Sequence, residues 1–149
     1  MRIVLDTNVL VRAAADEQGL AGRLLQEVAS GPHVLVSSPY VLSEIARVLA
    51  YARLQARWQL GEKTVREFVS RVSDIAEIVL TTTPDRIVAA DPDDDAIVQT
   101  AVLGGVDVLC TRDAHLLDRA VVEYCAGQGI QVMNDIDLYH TLTGRPRGG

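Results

Sequence analysis

Apolar positions along this chain follow two rhythms. Short runs in which neighbouring positions are all apolar alternate with longer stretches of helical spacing. Arg2 to Leu5 is the first short run and reads as a buried strand, and Thr7 opens a helical pattern. Gly19 and Gly22 loosen the next stretch. Leu24, Leu25 and Val28 then give a helical face that stops at the Gly31-Pro32 turn signal. Val34 to Val36 is the second strand. After it, Ser38 stands at an N-cap position and Pro39 at the first helical position. Val41, Ile45, Val48, Leu49 and Ala52 follow helical spacing, Gly61 breaks it, and Val65, Phe68, Val69, Val72 and Ile75 restart it. Ile78 to Leu80 reads as a strand, followed by Pro84 and an acidic turn from Asp91 to Asp95. Ile97, Val98, Ala101 and Val102 form a short helix ended by Gly104-Gly105. Val106 to Cys110 is a strand, Leu116, Leu117, Ala120, Val121 and Tyr124 a helix, and Ile130 to Met133 a last strand. Strands alternating with helices, without hairpin signals, predict an α/β fold with a parallel sheet covered on both faces.

Length and composition narrow this further. A chain of 149 residues fits one domain, 1–149, with a flexible tail expected from about residue 144. An apolar fraction of 48% excludes a disordered chain. No run approaches the roughly 18 to 20 apolar residues of a membrane span, and the start lacks a signal-peptide pattern. Cys110 and Cys125 form no CxxC pair, so a reducing cytoplasmic compartment is the default. The net charge of −6 argues against one extensive basic face for nucleic acid. It leaves room for carboxylates that hold cations, which in turn meet phosphate.

Open parallel sheets bind ligands outside the carboxyl ends of their strands, and acidic residues recur at those ends. Asp6 follows the first strand, Glu44 lies on the helix after the second, Asp94 and Asp95 open the helix before Gly104, and Asp113 follows the fourth strand. Two bare carboxylates about 4 Å apart repel by about 4 kcal/mol at an effective dielectric of about 20. Such a cluster must spread, take up protons or bind cations. Oxygen ligands without cysteine or histidine suit Mg²⁺ or Mn²⁺ better than Zn²⁺. Each position also has a plainer reading. Asp113 before Leu116-Leu117 is as readily a helix cap, Asp94 and Asp95 are turn residues near a helix dipole, and Glu44 alone is a solvated helical glutamate. Asp6 resists the plain reading, since Thr7 or Asn8 can cap the helix in its place.

In order and spacing, Leu5-Asp-Thr-Asn-Val9, Ser43-Glu44, Asp95-Ala-Ile-Val-Gln-Thr-Ala101 and Cys110-Thr-Arg-Asp113 resemble the four acidic motifs of PIN-domain proteins. That family includes the VapC-like toxins of toxin–antitoxin systems. The resemblance runs from Arg2 to about Leu138. It implies a three-layer α/β/α sandwich around a parallel sheet and Mg²⁺- or Mn²⁺-dependent RNA cleavage, with in-line attack of water leaving a 5′-phosphate. It carries over Asp6, Glu44, Asp95 and Asp113 as catalytic metal ligands, and Asn8 and Thr111 as supporting hydrogen-bonding residues. The chain departs from the usual pattern at the third motif, where Asp91, Asp93, Asp94 and Asp95 crowd together. Ungapped spacing favours Asp95, and an Asp-Pro-x-Asp-Asn-like branch favours Asp94 as ligand. The resemblance also implies an antitoxin partner and a homodimer.

Arg12 and Arg112 lie beside the expected site and are contact candidates for RNA or a partner. Arg47, one turn from Glu44, either neutralises that carboxylate or meets phosphate, with a solvated helix face as the plainer alternative. Arg53, Arg57, Tyr51 and Trp58 extend the same region. Two rival functions remain at this stage. One is a non-catalytic binding protein that keeps the fold. The other is a phosphoryl-transfer domain, disfavoured because Asn8 stands where a phosphatase needs a second Asp, and because the only lysine is Lys63.

Overall fold

A computed structural model of the chain describes residues 1–51, 56, 59–81 and 92–144, the last span without the side chains of 92–94. Expectations placed on Arg53, Arg57, Trp58, Asp91 and the end beyond residue 144 therefore lie outside the described residues, as do the side chains of Asp93 and Asp94.

Five parallel strands form one sheet: β1 (Arg2–Leu5), β2 (Val34–Ser37), β3 (Glu77–Ile78), β4 (Val108–Cys110) and β5 (Gln131–Met133), in the order β3-β2-β1-β4-β5. The helices among the described residues are α1 (Thr7–Ala15), α2 (Leu20–Ser30), α3 (Pro39–Leu49), α4 (Glu62–Ile75), α5 (Pro92–Leu103), α6 (Arg119–Gly127) and α7 (Asp135–Thr143). Right-handed crossovers put the helices between β1 and β3 on one face and α5 and α6 on the other. α5 packs across β1, β2 and β4, while α7 returns to pack on α2. The result is the α/β/α sandwich expected from the sequence. None of the described helices is long and apolar enough to cross a membrane.

The strands are apolar runs because both faces of the sheet are covered. Ile3, Val4 and Leu5 are buried, as are Leu35, Val36, Val108 and Leu109. α3 starts as its sequence predicts, with Ser38 Oγ accepting from the Val41 N–H and Pro39 in the first turn. Its buried stripe is Val41, Ile45 and Leu49, spaced by four residues, which leaves Glu44 beside the stripe. At Gly22, an added Cβ would lie 2.3 Å from the carbonyl oxygen of Glu17. The α1–α2 connection can close this tightly only with glycine there.

Several elements differ from expectation. β3 is Glu77–Ile78 rather than Ile78 to Leu80, with Leu80 exposed, β4 begins at Val108 and β5 at Gln131, and α5 begins at Pro92, inside the expected acidic turn. The helix read from Leu116 begins later, at Arg119, because Asp118 accepts from the Ala120 N–H and caps it. Leu116 is buried from a preceding turn instead. α7 has no counterpart in the sequence reading. Asn134 caps it by accepting from the Asp137 N–H at 2.8 Å, and Leu138 is its one fully buried apolar side chain.

Candidate active site

The strand order reverses between β1 and β4, so a crevice opens at their carboxyl ends. Leu5 is in register with Cys110, and Cys110 with Met133. The pairing continues past the strands: the Asp6 N–H donates to the Cys110 carbonyl at 2.9 Å and the Thr111 N–H to the Met133 carbonyl at 3.0 Å. Asp6 and Thr111, 105 residues apart in sequence, are thereby fixed side by side.

Asp6 is both the N-cap of α1 and a buried carboxylate. Its Oδ1 accepts from the Thr7 N–H at 2.7 Å and its Oδ2 from Thr111 Oγ1 at 2.8 Å. Thr111 Oγ1 in turn accepts from the Asp113 N–H at 3.0 Å. Burial pushes the Asp6 carboxyl above its ordinary pKa. The hydrogen bonds from Thr111 and Thr7 pull it down, and the charge of Asp113 pushes it up again. Asp113 heads a single turn rather than α6. Its Oδ1 accepts from the His115 N–H at 2.7 Å and its carbonyl from the Leu117 N–H at 3.0 Å.

Asp95 is buried on α5, with 1% of its surface exposed. Thr100 of the same helix is hydrogen-bonded to Ser38 Oγ at 2.9 Å and to the Ala96 carbonyl at 2.8 Å. That buried contact ties the helix carrying Asp95 to the cap of the helix carrying Glu44. Glu44 itself is engaged by Arg47, with Nε 3.0 Å from Oε1 and Nη2 2.6 Å from Oε2. Arg47 therefore takes the neutralising role that the sequence left open. Asn8 is exposed and its side chain makes no hydrogen bond among the described residues, so the structure does not join it to the carboxylates.

Asp6 and Asp113 fit a hard divalent cation in chemistry: oxygen donors, one of them buried, with the charge of Asp113 raising the cost of the charge on Asp6. Among the described residues, no three acidic, histidine or cysteine side chains come close enough to hold one ion. Glu44 would have to exchange Arg47 for the metal.

Sequence reasoning passed over Asp135. It is the first residue of α7, just beyond β5, and only 2% of it is exposed. Its Oδ1 accepts from the Ile136 N–H at 3.0 Å. Arg112 Nε lies 3.4 Å from the same oxygen, and Arg12 Nη1 lies 3.9 Å from Oδ2. Burial raises the Cys110 thiol pKa, and the charges of Asp135 and Asp6 raise it further, so both carboxylates act on one strand end. The available signal was positional: Asp135 follows a strand end as Asp6 and Asp113 do.

A PIN-domain family model matches residues 2–115, which takes in Asp6, Glu44, Asp94, Asp95, Thr111 and Asp113. The chain belongs to the PIN-domain family, whose members are generally nucleases and typically use divalent metals. Asp135 falls outside the matched span. No curated protein matches the chain significantly.

Proposed function

We propose that this chain is a Mg²⁺- or Mn²⁺-dependent endoribonuclease and the VapC-like toxin of a toxin–antitoxin pair. The observation that carries the reading is the buried Asp6 carboxylate, held by Thr111 beside Asp113 at the switch point of the sheet. Asp6, Asp95, Asp113 and Glu44 would hold the metal by drawing closer than they stand without it, with Asp94 the alternative at the third motif. The burial of Asp95 supports the ungapped choice. Bound there, the ion would activate water and stabilise charge on the phosphate. Thr111 keeps one oxygen of Asp6 fixed by hydrogen bonding, and the Thr7 N–H fixes the other. The Ser38–Thr100 contact sets α3 against α5. RNA is the substrate of this reading, an antitoxin protein its regulator, a homodimer its working form and the cytoplasm its compartment.

A second reading, a PIN-fold protein that binds without cutting, is favoured by the paired Glu44–Arg47 side chains. Cleavage of a mixed RNA pool by wild type and Asp6→Asn, with Mg²⁺, Mn²⁺ or EDTA, separates the two. Metal-dependent cleavage that disappears in the variant supports the nuclease. No cleavage, together with a melting temperature indifferent to either metal, supports the binding protein.

A further inference from the structure

Arg12 and Arg112 come from distant parts of the chain, α1 and the segment after β4, and meet on one buried carboxylate. The nearest approaches are Arg12 Nη1 to Asp135 Oδ2 at 3.9 Å and Arg112 Nε to Oδ1 at 3.4 Å, ion pairs without a hydrogen bond. A guanidinium carries five N–H donors in a fixed fork. Neither arginine has another side-chain acceptor among the described residues, so most of these donors are unspent. Both side chains are about half exposed, 49% and 45%, while the carboxylate beneath them is 2% exposed. The pair borders a cavity of about 280 Å³. Asp16 also lines that cavity, and its Oδ1 accepts from the Gln18 N–H.

The placement relative to Asp6 gives the pair a use. Arg112 lies between Thr111, which binds Asp6, and Asp113. Arg12 stands six residues beyond Asp6 on α1, about 9 Å along the helix axis. We propose that Arg12 and Arg112 form a subsite for a backbone phosphate of RNA flanking the cut, and that Asp135 is the positioning residue that aims both guanidiniums. Forked donors on two elements match the oxygens of a phosphodiester, and contacts of this kind set the register of a strand without reading its sequence. This inference rests on the nuclease reading for its substrate and extends it to Asp135, which lies outside the matched family span.

The test is binding of fluorescein-labelled single-stranded RNA of mixed sequence, read by anisotropy in EDTA across a salt series, alongside cleavage of the same RNA with Mn²⁺. Removing both arms of the subsite in Arg12→Gln/Arg112→Gln weakens binding and flattens the slope of log K against log salt by about 0.7, the value for one neutralised phosphate on a single strand. Asp135→Asn is the sharper variant. It makes the protein less negative, so charge alone predicts tighter binding. Positioning predicts weaker binding with melting still cooperative. Arg112→Lys, which keeps the charge and loses the fork, covers the case in which Asp135→Asn does not fold, and it too weakens binding. An unchanged slope in the double variant, or a wild type that binds no RNA, overturns the subsite. An unchanged slope with metal-dependent cleavage intact overturns it while leaving the nuclease standing, and points the pair to an acidic segment of a protein partner. A flattened slope without cleavage, together with a melting temperature indifferent to Mn²⁺, keeps the subsite and removes the nuclease.

Discussion

Thr111→Val isolates the hydroxyl on which the site is built. The replacement is close in size, so its cost is polar. Two partners lose their contact: Asp6 Oδ2 at 2.8 Å and the Asp113 N–H at 3.0 Å. A hydrogen bond to a charged group contributes about 1.5–3 kcal/mol, and an orphaned N–H that is partly reachable by water adds about 1 kcal/mol. The expected loss at neutral pH is therefore about 2–4 kcal/mol. For a domain of about 150 residues, that lowers the melting temperature by about 5–15 °C. The sign of the pH dependence follows from Asp6. Its folded pKa is raised, so its contribution is present below the unfolded value and is lost as pH rises through the folded one. The Thr111 hydroxyl pulls against that rise, and removing it raises the folded pKa further. The deficit of the variant is then largest at neutral pH and shrinks as pH falls toward the ordinary carboxyl value of 3.8. Urea unfolding across this range, with metal chelated, measures it. A deficit that is absent at neutral pH, or that grows on acidification, would refute the reasoning. Thr111→Ser should retain most of the stability.

Asp6→Asn should abolish cleavage yet leave the metal-free protein as stable as wild type or more so at neutral pH, because burial works against the charge it removes. The same variant should lose the stabilisation that Mg²⁺ or Mn²⁺ gives wild type, about 2.7 kcal/mol at one hundred times the dissociation constant. Thermal melts with and without metal check both statements. Arg47→Ala should change stability by less than about 1 kcal/mol, since the arginine side of the ion pair is half exposed. By freeing Glu44, it should also lower the Mn²⁺ concentration needed for half of the thermal shift. Gly22→Ala should destabilise by about 1–3 kcal/mol, because its Cβ would meet the backbone of Glu17. Urea unfolding measures that loss.

Much of this molecule is written locally in its sequence. The strands are legible because a parallel sheet buried on both faces leaves apolar runs such as Ile3 to Leu5. Ser38-Pro39 and Gly61 mark the starts of α3 and α4, because capping is a matter of adjacent residues. α7 was illegible because it rests on a cap and a buried charge more than on an apolar stripe. The start of α6 was misplaced because Leu116-Leu117 fits helical spacing while Asp118 supplies the cap. Asp6 and Asp113 were legible as strand-end residues, and Thr111 only through the family resemblance. The grip of Arg47 on Glu44 was half legible from their separation of three positions. The meeting of Arg12, Arg112 and Asp135 depends on contacts between segments more than twenty residues apart, which no local pattern encodes.

The pairing of β1 with β4 also has a consequence in time. The first residues of the chain carry Asp6, yet its hydroxyl partner is synthesised 105 positions later. Closing so long a loop before any contact rewards it makes this a late step of folding, as in other chains dominated by distant contacts. During synthesis, β1 can pair with β2 while its other edge waits for β4. A growing or truncated chain that stops before residue 108 therefore cannot assemble the Asp6–Thr111 pair, whatever its helices have done. A protein that cuts RNA would in this way be harmless to the message that encodes it at least until the codon for Thr111 has been read.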